Sequence, residues 1–206
     1  YNHYSLIRTI EENFGLGTLG KNDAGANWMQ FLWGRHFRWS APSETPIPAG
    51  STVAAADCAG ALHVVYARDD RSLVVRSHAE GGWSAERPLG VKSDAIALAS
   101  YRGGLLLVYR DDGGALQGME YQLTSGWSPS GKEPLAAGTS GSFAVAGLDG
   151  DQRAMLVWRD GSGALQSRAL RGGAWQPAVS VSGFTADAGA PITMSALGAS
   201  LDLIWK

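Results

Sequence analysis

The feature that most constrains the fold of this chain is a short pattern that occurs three times in full. Each copy is an apolar run that ends in Tyr or Trp and is followed within three residues by Arg and Asp; the copies lie at 62–70, 105–112 and 155–161. A fourth copy begins at Leu201 and stops at the last residue, Lys206. The aromatic anchors are spaced 43, 49 and 47 residues apart: Tyr66, Tyr109, Trp158 and Trp205.

The segments between the anchors repeat as well. After each complete anchor come a turn rich in Gly, Asp or Ser, a Leu, and then a Trp behind a Gly-rich turn; the Leu residues are 73, 116 and 165, and the Trp residues are 83, 127 and 175. Trp39 fits the same position 44 residues before Trp83. A period of about 40 to 50 residues that holds four strand-sized segments is typical of a propeller blade.

The third unit shows the strands most clearly. Its predicted strands are 142–147, 155–159, 164–169 and 174–180, and the second is a continuous apolar run of the kind that is buried between neighbouring blades. The turns contain Asp and Gly, which tolerate the positive φ of tight hairpins. A β-sandwich with coincidental spacing is the alternative, but three aligned copies favour an all-β propeller of four-stranded blades.

The number of blades stays open at this point. Three full blades, a trailing strand pair at 191–206 and a leading strand around Trp39 are visible. Residues 37–46 are expected to pair with 191–206 in a composite fourth blade, because a shared blade removes the open edges of the ring. The alternatives are a homo-oligomer in which two chains complete a larger ring, and further blades beyond Lys206.

Composition and charge exclude several classes of partner. The chain has 28 Gly and 17% charged residues, as expected of a β-rich globular domain, and its net charge of −2 provides no basic field for nucleic acid. Its longest apolar stretches are about six residues, far too short for a membrane span. The single cysteine, Cys58, excludes an internal disulfide and a cysteine-rich metal site.

The first 34 residues do not belong to the repeat. Residues 1–15 predict a helix with Ser5 as N-cap, with Leu6, Ile7, Ile10 and Phe14 on one face, and with its end at Gly15. This segment resembles the C-terminal end of the catalytic domain of bacterial and fungal phosphoesterases, the acid phosphatase and phospholipase C family. The residues that carry the resemblance are His3, Ser5, Arg8, Thr9, Ile10, Glu11, Phe14, Gly15, Leu16, Leu19 and Gly20. The predicted domains are therefore 1–34, a helical phosphoesterase-like tail, and 35–206, the propeller.

The resemblance implies no complete active site in this chain. The nucleophile and the metal-binding acidic residues of that family lie upstream of the matching segment, so we expect the chain to be a piece of a longer protein, with no catalytic residue, metal ligand or cofactor of its own. His3 lines the edge of the site in one interpretation and, in the favoured one, is bonded near a helix N-terminus. Cys58 and His63 are expected on a buried strand and form no recognisable catalytic motif.

One group of side chains recurs in every blade and is the candidate binding site. It comprises an aromatic, an Arg and a Trp: Tyr66, Arg68 and Trp83; Tyr109, Arg110 and Trp127; Trp158, Arg159 and Trp175. Sugar recognition needs a flat aromatic face for the apolar side of the ring and forked polar groups for vicinal hydroxyls. The structural alternative is that the aromatics wedge the blades together and each Arg pairs with a nearby Asp. The Asp pairs 69–70 and 111–112 are interpreted as turn residues in preference to calcium ligands.

Residues 36–206 resemble the bacterial and fungal propeller lectins, including the fucose-binding group. In the fucose-specific members an Arg precedes the Val-Tyr of the second strand and a Glu lies on the third strand. Here those positions hold Val64, Leu107 and Leu156, and then residues such as Val75 and Gly118. The resemblance therefore implies a lectin-like propeller whose sugar specificity differs from that group.

Three functions follow as hypotheses. The first is a carbohydrate-binding module that targets a secreted phosphoesterase to glycan-bearing surfaces, where several weak sites together give avidity. The second is a fragment of a phosphatase or phospholipase C whose activity lies upstream. The third is a propeller scaffold that binds proteins.

Overall fold

The computed structural model describes residues 3–14, 17–27, 46–48, 50–131, 133–139, 141–148, 152–185, 190–197 and 200–204. The chain divides into two compact units, Tyr1–Pro46 and Ile47–Lys206. The sequence-based boundary between residues 34 and 35 stays a prediction.

Among its described residues, the first unit contains one helix, α1, His3–Phe14. The helix begins at least two residues before the predicted N-cap, so that prediction was wrong: Ser5 lies inside α1, where its carbonyl accepts a 2.6 Å hydrogen bond from the Thr9 hydroxyl one turn later. The predicted apolar face is partly exposed, since Leu6 and Ile10 are 47% and 42% accessible, whereas Glu11 is buried. The loop after the helix is tied back to Glu11, whose carboxylate accepts a 3.1 Å hydrogen bond from the Leu19 amide.

The second unit is built of strands that form three blades and one further pair. The first blade comprises β1 (Val53–Cys58), β2 (Ala61–Ala67), β3 (Ser72–Ala79), β4 (Gly82–Trp83) and β5 (Arg87–Lys92). The second blade comprises β6 (Ile96–Tyr101), β7 (Gly104–Arg110), β8 (Leu116–Gln122) and β9 (Gly126–Pro129). The third blade comprises β10 (Phe143–Leu148), β11 (Arg153–Arg159), β12 (Ala164–Arg171), β13 (Ala174–Trp175) and β14 (Val179–Thr185). The last pair is β15 (Thr193–Leu197) and β16 (Ser200–Ile204).

Each blade is an antiparallel meander in which consecutive strands are neighbours, as short hairpin connections dictate. In the first and third blades, two short strands pair with different parts of the third strand. β3 pairs with both β4 and β5, and β12 pairs with both β13 and β14. The four strands predicted for the third unit are all present at nearly the predicted places, with the fourth divided between β13 and β14.

The inner strands show how the blades are arranged. β1 contacts β6, β6 contacts β10, and β10 contacts β15, so the first strands of successive blades lie side by side about a common axis. These strands are rich in alanine, as the limited space near an axis requires. The approach is closest at Gly147, where a Cβ atom would lie 1.8 Å from the Ser100 carbonyl oxygen. This radial repetition makes the second unit a β-propeller, as the repeat predicted.

Apolar layers between the blades form the core. The side chains of β2 and β3 that face the second blade meet those of β7 and β8, and Val65, Leu73 and Leu107 are fully buried there. A larger layer joins the second and third blades, and a third layer joins the third blade to the β15–β16 pair. The predicted burial of the second strands is confirmed, and it follows from their unbroken apolar runs.

The Asp residues in the turns between the second and third strands of the blades act as turn residues, which was the favoured interpretation. The Asp111 carboxylate accepts 2.9 Å hydrogen bonds from the amides of Gly113 and Ala115, and Asp160 repeats the arrangement with Ser162 and Ala164. Side-chain hydrogen bonds from Gln117 to Asp111 and from Ser162 to Asp160, together with these backbone bonds, hold the pKa values of both carboxyls below their ordinary range.

The β15–β16 pair is the beginning of a fourth blade. Trp39, Trp205 and nearly all of the segment expected to complete it lie outside the described residues, so the composite blade, the blade number and the homo-oligomeric ring remain predictions.

Candidate functional site

The structure separates the Tyr or Trp anchor of each blade from the Trp that was grouped with it. In the first blade Leu62 pairs with His78, and His78 pairs with Trp83, whereas Tyr66 lies four residues farther along β2. At about 3.3 Å per residue this places Tyr66 roughly 13 Å from the Trp83 end of the blade. The second and third blades repeat this register, so the three predicted residues of one blade do not converge on one ligand.

The second-strand anchors are packed inside the propeller. Tyr66 and Trp158 are 0% and 4% accessible, and Tyr109 packs half-buried against the layer between the first two blades. The buried rings of Tyr66 and Trp158 offer no free face to a sugar, and large aromatics contribute strongly to such layers. The side chains thus occupy the positions expected of the structural alternative.

The three predicted arginines interact within the protein. Arg68 forms an ion pair with Glu86, and Arg110 lies 3.3 Å from the Asp94 carboxylate and donates a 3.2 Å hydrogen bond to the Gly141 carbonyl. Arg159 packs against Gly163, where a Cβ atom would lie 3.1 Å from its Nη2.

Glu86 is the centre of a polar network on the first blade. Its carboxylate accepts a hydrogen bond from the Tyr66 hydroxyl, pairs with Arg68, and lies 3.6 Å from Arg76. The hydrogen bonds from Tyr66 and Arg68 lower the pKa of Glu86 to about 2, so the carboxylate stays ionised throughout the physiological range.

The Trp at the outer hairpin has a cross-strand partner in every blade. The pairs are His78 with Trp83, Tyr121 with Trp127, and Leu170 with Trp175. The Tyr121 and Trp127 rings are both half-buried and lie 5.3 Å apart, tilted by 43°. His78 and Trp83 form a similar pair at 5.0 Å.

The Tyr121–Trp127 pair forms one wall of a cleft between the first and second blades, called here the first cleft. Its lining residues are His63, Val75, Arg76, Ser77, Ser84, Arg87, Tyr121 and Trp127. The His63 and Tyr121 rings lie 5.5 Å apart across it. The open space between these side chains is about 50 Å³, enough for a few water molecules, so a larger ligand has to lie at the mouth of the cleft.

Strand register explains which groups of the first blade face this cleft. Val75 belongs to the apolar layer against the second blade, and Arg87 is its direct cross-strand partner in β5. Cross-strand partners project from the same face of a sheet, so Arg87 projects toward the second blade, and it is exposed. Burial lowers the pKa of His63, which favours its neutral form.

The equivalent cleft between the second and third blades, called here the second cleft, is filled. The Trp175 indole Nε1 donates a 3.1 Å hydrogen bond to the Ser130 hydroxyl, which donates a 2.6 Å bond to the Glu120 carboxylate. Arg168 donates hydrogen bonds to the carbonyls of Gln176 and Leu135 at 2.6 and 2.8 Å. The polar groups described in this cleft thus bind one another.

Two larger cavities lie at the two ends of the inner strands. One of about 500 Å³ is lined by the β1–β2 and β6–β7 turns and by Gln122, and the other, of about 400 Å³, by the beginnings of the inner strands and by Arg110. Their described aromatic residues, Tyr101 and Phe143, are buried, so neither cavity presents a stacking face.

The predicted site included Trp127 and Trp83 but not His63, Tyr121 and Arg87. A usable signal was present, because a residue five or six positions before each outer Trp is its cross-strand partner, and only the second blade has Tyr there. The contribution of Arg87 depends on the register of β3 with β5, which the repeat alone does not reveal.

The comparison with solved structures shows the fold. The propeller is similar to the BP39L lectin from Burkholderia pseudomallei, with a TM-score of 0.64 and 20% identity, over 82% of this chain and 57% of that one. It is also similar to a fungal lectin from Aleuria aurantia, a six-bladed β-propeller with a fucose recognition mode, with a TM-score of 0.60 and 15% identity over 79% and 56% of the two chains. AofleA from Arthrobotrys oligospora matches with a TM-score of 0.60 and 15% identity over 74% and 48%.

The chain therefore spans about half the length of these lectins. No protein-family model and no curated protein matches it. The described residues contain no group of three or more His, Cys, Asp or Glu side chains able to hold a metal ion. Among the same residues, no helix has the length and apolar character that a membrane crossing needs.

Proposed function

We propose that the propeller is a carbohydrate-binding, lectin-like module and that the first cleft is its sugar site. The observation that carries the proposal is the pair of half-buried rings, Tyr121 and Trp127, beside the hydroxyls of Ser77 and Ser84 and the guanidinium of Arg87. Aromatic faces bind the apolar side of a sugar ring, and the polar groups bind its hydroxyls. The similar solved structures are lectins, which supports the same class of ligand.

The sugar ring is placed at the mouth of the cleft, against the exposed part of Trp127. Arg87 is an exposed side chain on the opposite wall and has the freedom to move aside or to close over the ring. The proposal does not use Tyr66 or Trp158, whose rings are buried.

A matched pair of variants tests the site. Trp127→Ala removes one wall of the first cleft, whereas Trp175→Ala removes the equivalent Trp of the filled second cleft. We expect glycan-array binding of the chain to fall at least thirtyfold in Trp127→Ala, as for a central aromatic contact of about 2 kcal/mol or more, and to persist in Trp175→Ala. Binding that survives in Trp127→Ala would contradict the proposed site, and a blank array for the wild-type chain would contradict the carbohydrate-binding function.

We also propose that this module is the targeting part of a secreted phosphoesterase. The support is the motif of residues 3–20, which resembles the end of the phosphoesterase catalytic domain. The intact source protein is then expected to be well above 21.7 kDa and to release phosphate from phosphoesters, whereas this chain alone releases none. A source protein of 21.7 kDa, or phosphate release by this chain, would contradict the proposal.

A further inference from the structure

Basic side chains outnumber acidic ones in the lining of the first cleft. Its lining contains two arginines, Arg76 and Arg87, and one histidine, His63, but no Asp or Glu. A neutral sugar is commonly held by a mixture of donors and acceptors, whereas this lining offers mainly donors and hydroxyls.

Arg76 accounts for only part of the imbalance, because it is held within the protein and shares the Glu86 carboxylate with Arg68. Its Nη1 donates a 3.3 Å hydrogen bond to the Ser84 carbonyl, and its Nη2 lies 3.6 Å from the Glu86 carboxylate. Since the pKa of Glu86 is about 2, that carboxylate remains charged and keeps Arg76 paired.

Arg87 is the uncompensated cation. It forms no ion pair with any residue that the structure describes, and its register opposite Val75 places it on the face toward the second blade. The guanidinium is thus an exposed, unpaired fork at the rim of a cleft whose other wall is aromatic.

We infer that the first cleft selects an acidic sugar, one whose ring carries a carboxylate. This inference rests on the proposed carbohydrate site. The carboxylate pairs with the Arg87 guanidinium, for which it is the planar, bidentate partner, while the ring lies on Trp127 and Tyr121. The Ser77 hydroxyl bonds a sugar hydroxyl, whereas the Ser84 hydroxyl is held by the Ser77 amide and the Ala85 carbonyl. In the second cleft a carboxylate, Glu120, is already present and Arg168 is engaged by carbonyls, so that cleft offers no such site.

The test compares two probes that differ only at one carbon, methyl β-D-glucuronide and methyl β-D-glucoside, bound to the whole chain. We expect the glucuronide to bind about tenfold more tightly at low salt, and the ratio to fall as ionic strength rises. Arg87→Gln should bring the ratio to about one, because it weakens binding of the glucuronide more than binding of the glucoside. Arg87→Lys should keep part of the preference, since it retains the charge and loses the fork.

Arg171→Gln is the matched control, because it removes an exposed arginine from β12, away from the first cleft. It should leave the ratio as in the wild-type chain. Equal affinities for the two probes would overturn the acidic-sugar inference while leaving the carbohydrate site standing. A preference that persists in Arg87→Gln would overturn the role of Arg87. If neither probe nor any other glycan binds, the proposed function itself fails.

Discussion

The two clefts between neighbouring blades have the same strands and the same outer Trp, yet their described polar side chains bond one another in the second cleft and line an open space in the first. Aligning the blades on their anchors places His63, Val75 and Ser77 of the first blade at the positions of Leu106, Gly118 and Glu120 of the second. On the opposite walls, Tyr121 of the second blade corresponds to Leu170 of the third. Arg76 likewise corresponds to Met119, so at least five positions differ between the two clefts.

The repeat specifies the fold, whereas a few positions within it distinguish the two clefts. In the second cleft Gly118 leaves the space that Ser130 and Leu135 occupy, and the polar groups that remain bond one another. In the first cleft the larger Val75 lies at that position, and Arg87 at the rim forms no ion pair with a described residue.

The largest effect is expected from giving the second cleft the valine of the first. In Gly118→Val the new Cβ atom would lie 3.1 Å from the Ser130 Cβ and 3.2 Å from the Leu135 Cδ1. Forcing bulk into a filled layer typically costs about 1 to 3 kcal/mol, and we expect about 2 kcal/mol, measured by urea unfolding. Wild-type stability in this variant would show that the second cleft is not tightly filled.

The reverse exchange gives the first cleft the leucine of the second. Tyr121→Leu removes the ring that packs 5.3 Å from Trp127 and keeps an apolar side chain in its place. We expect glycan binding to weaken about tenfold with little change in stability, since aromatic pairs contribute about 0.5 to 1.5 kcal/mol beyond burial. Unchanged affinity in a titration would mean that Trp127 acts alone.

A smaller effect is expected from breaking the network that fills the second cleft. Ser130→Ala leaves the Trp175 Nε1 and the Glu120 carboxylate without the hydroxyl that joins them. The expected loss is about 1 to 2 kcal/mol of unfolding free energy. Ser128→Ala, at an exposed position of β9, is the control and should change stability by less than about 0.5 kcal/mol.

The smallest effect concerns pH. Because burial lowers the pKa of His63, the unfolded chain binds more protons than the folded one between that pKa and the ordinary value of 6.5. The unfolding free energy should therefore rise with pH through this window, and His63 should contribute no pH dependence outside it. His63→Leu, the residue of the second blade, should reduce this slope in urea titrations between about pH 5 and 7. An identical slope in the variant would exclude His63 as its source.

The repeat was sufficient to predict the blades, because each anchor, turn and outer Trp marks a strand directly. Ser5 was misplaced because a good N-cap residue is also compatible with a helix interior when its carbonyl accepts a bond from Thr9. The site was harder to predict because recurring residues such as Tyr66 and Trp158 recur for packing, whereas Tyr121 and Arg87 occur once. Their proximity depends on strand register and on which faces of two blades meet.

The most direct test of the difference between the clefts is an NMR titration of the whole chain with methyl β-D-glucuronide that follows the indole N–H signals. The account predicts that the Trp127 signal shifts with saturable dependence on the saccharide, while the Trp175 signal, whose N–H is held by Ser130, stays in place. A shift of Trp175 without a shift of Trp127 would contradict the assignment of the site to the first cleft.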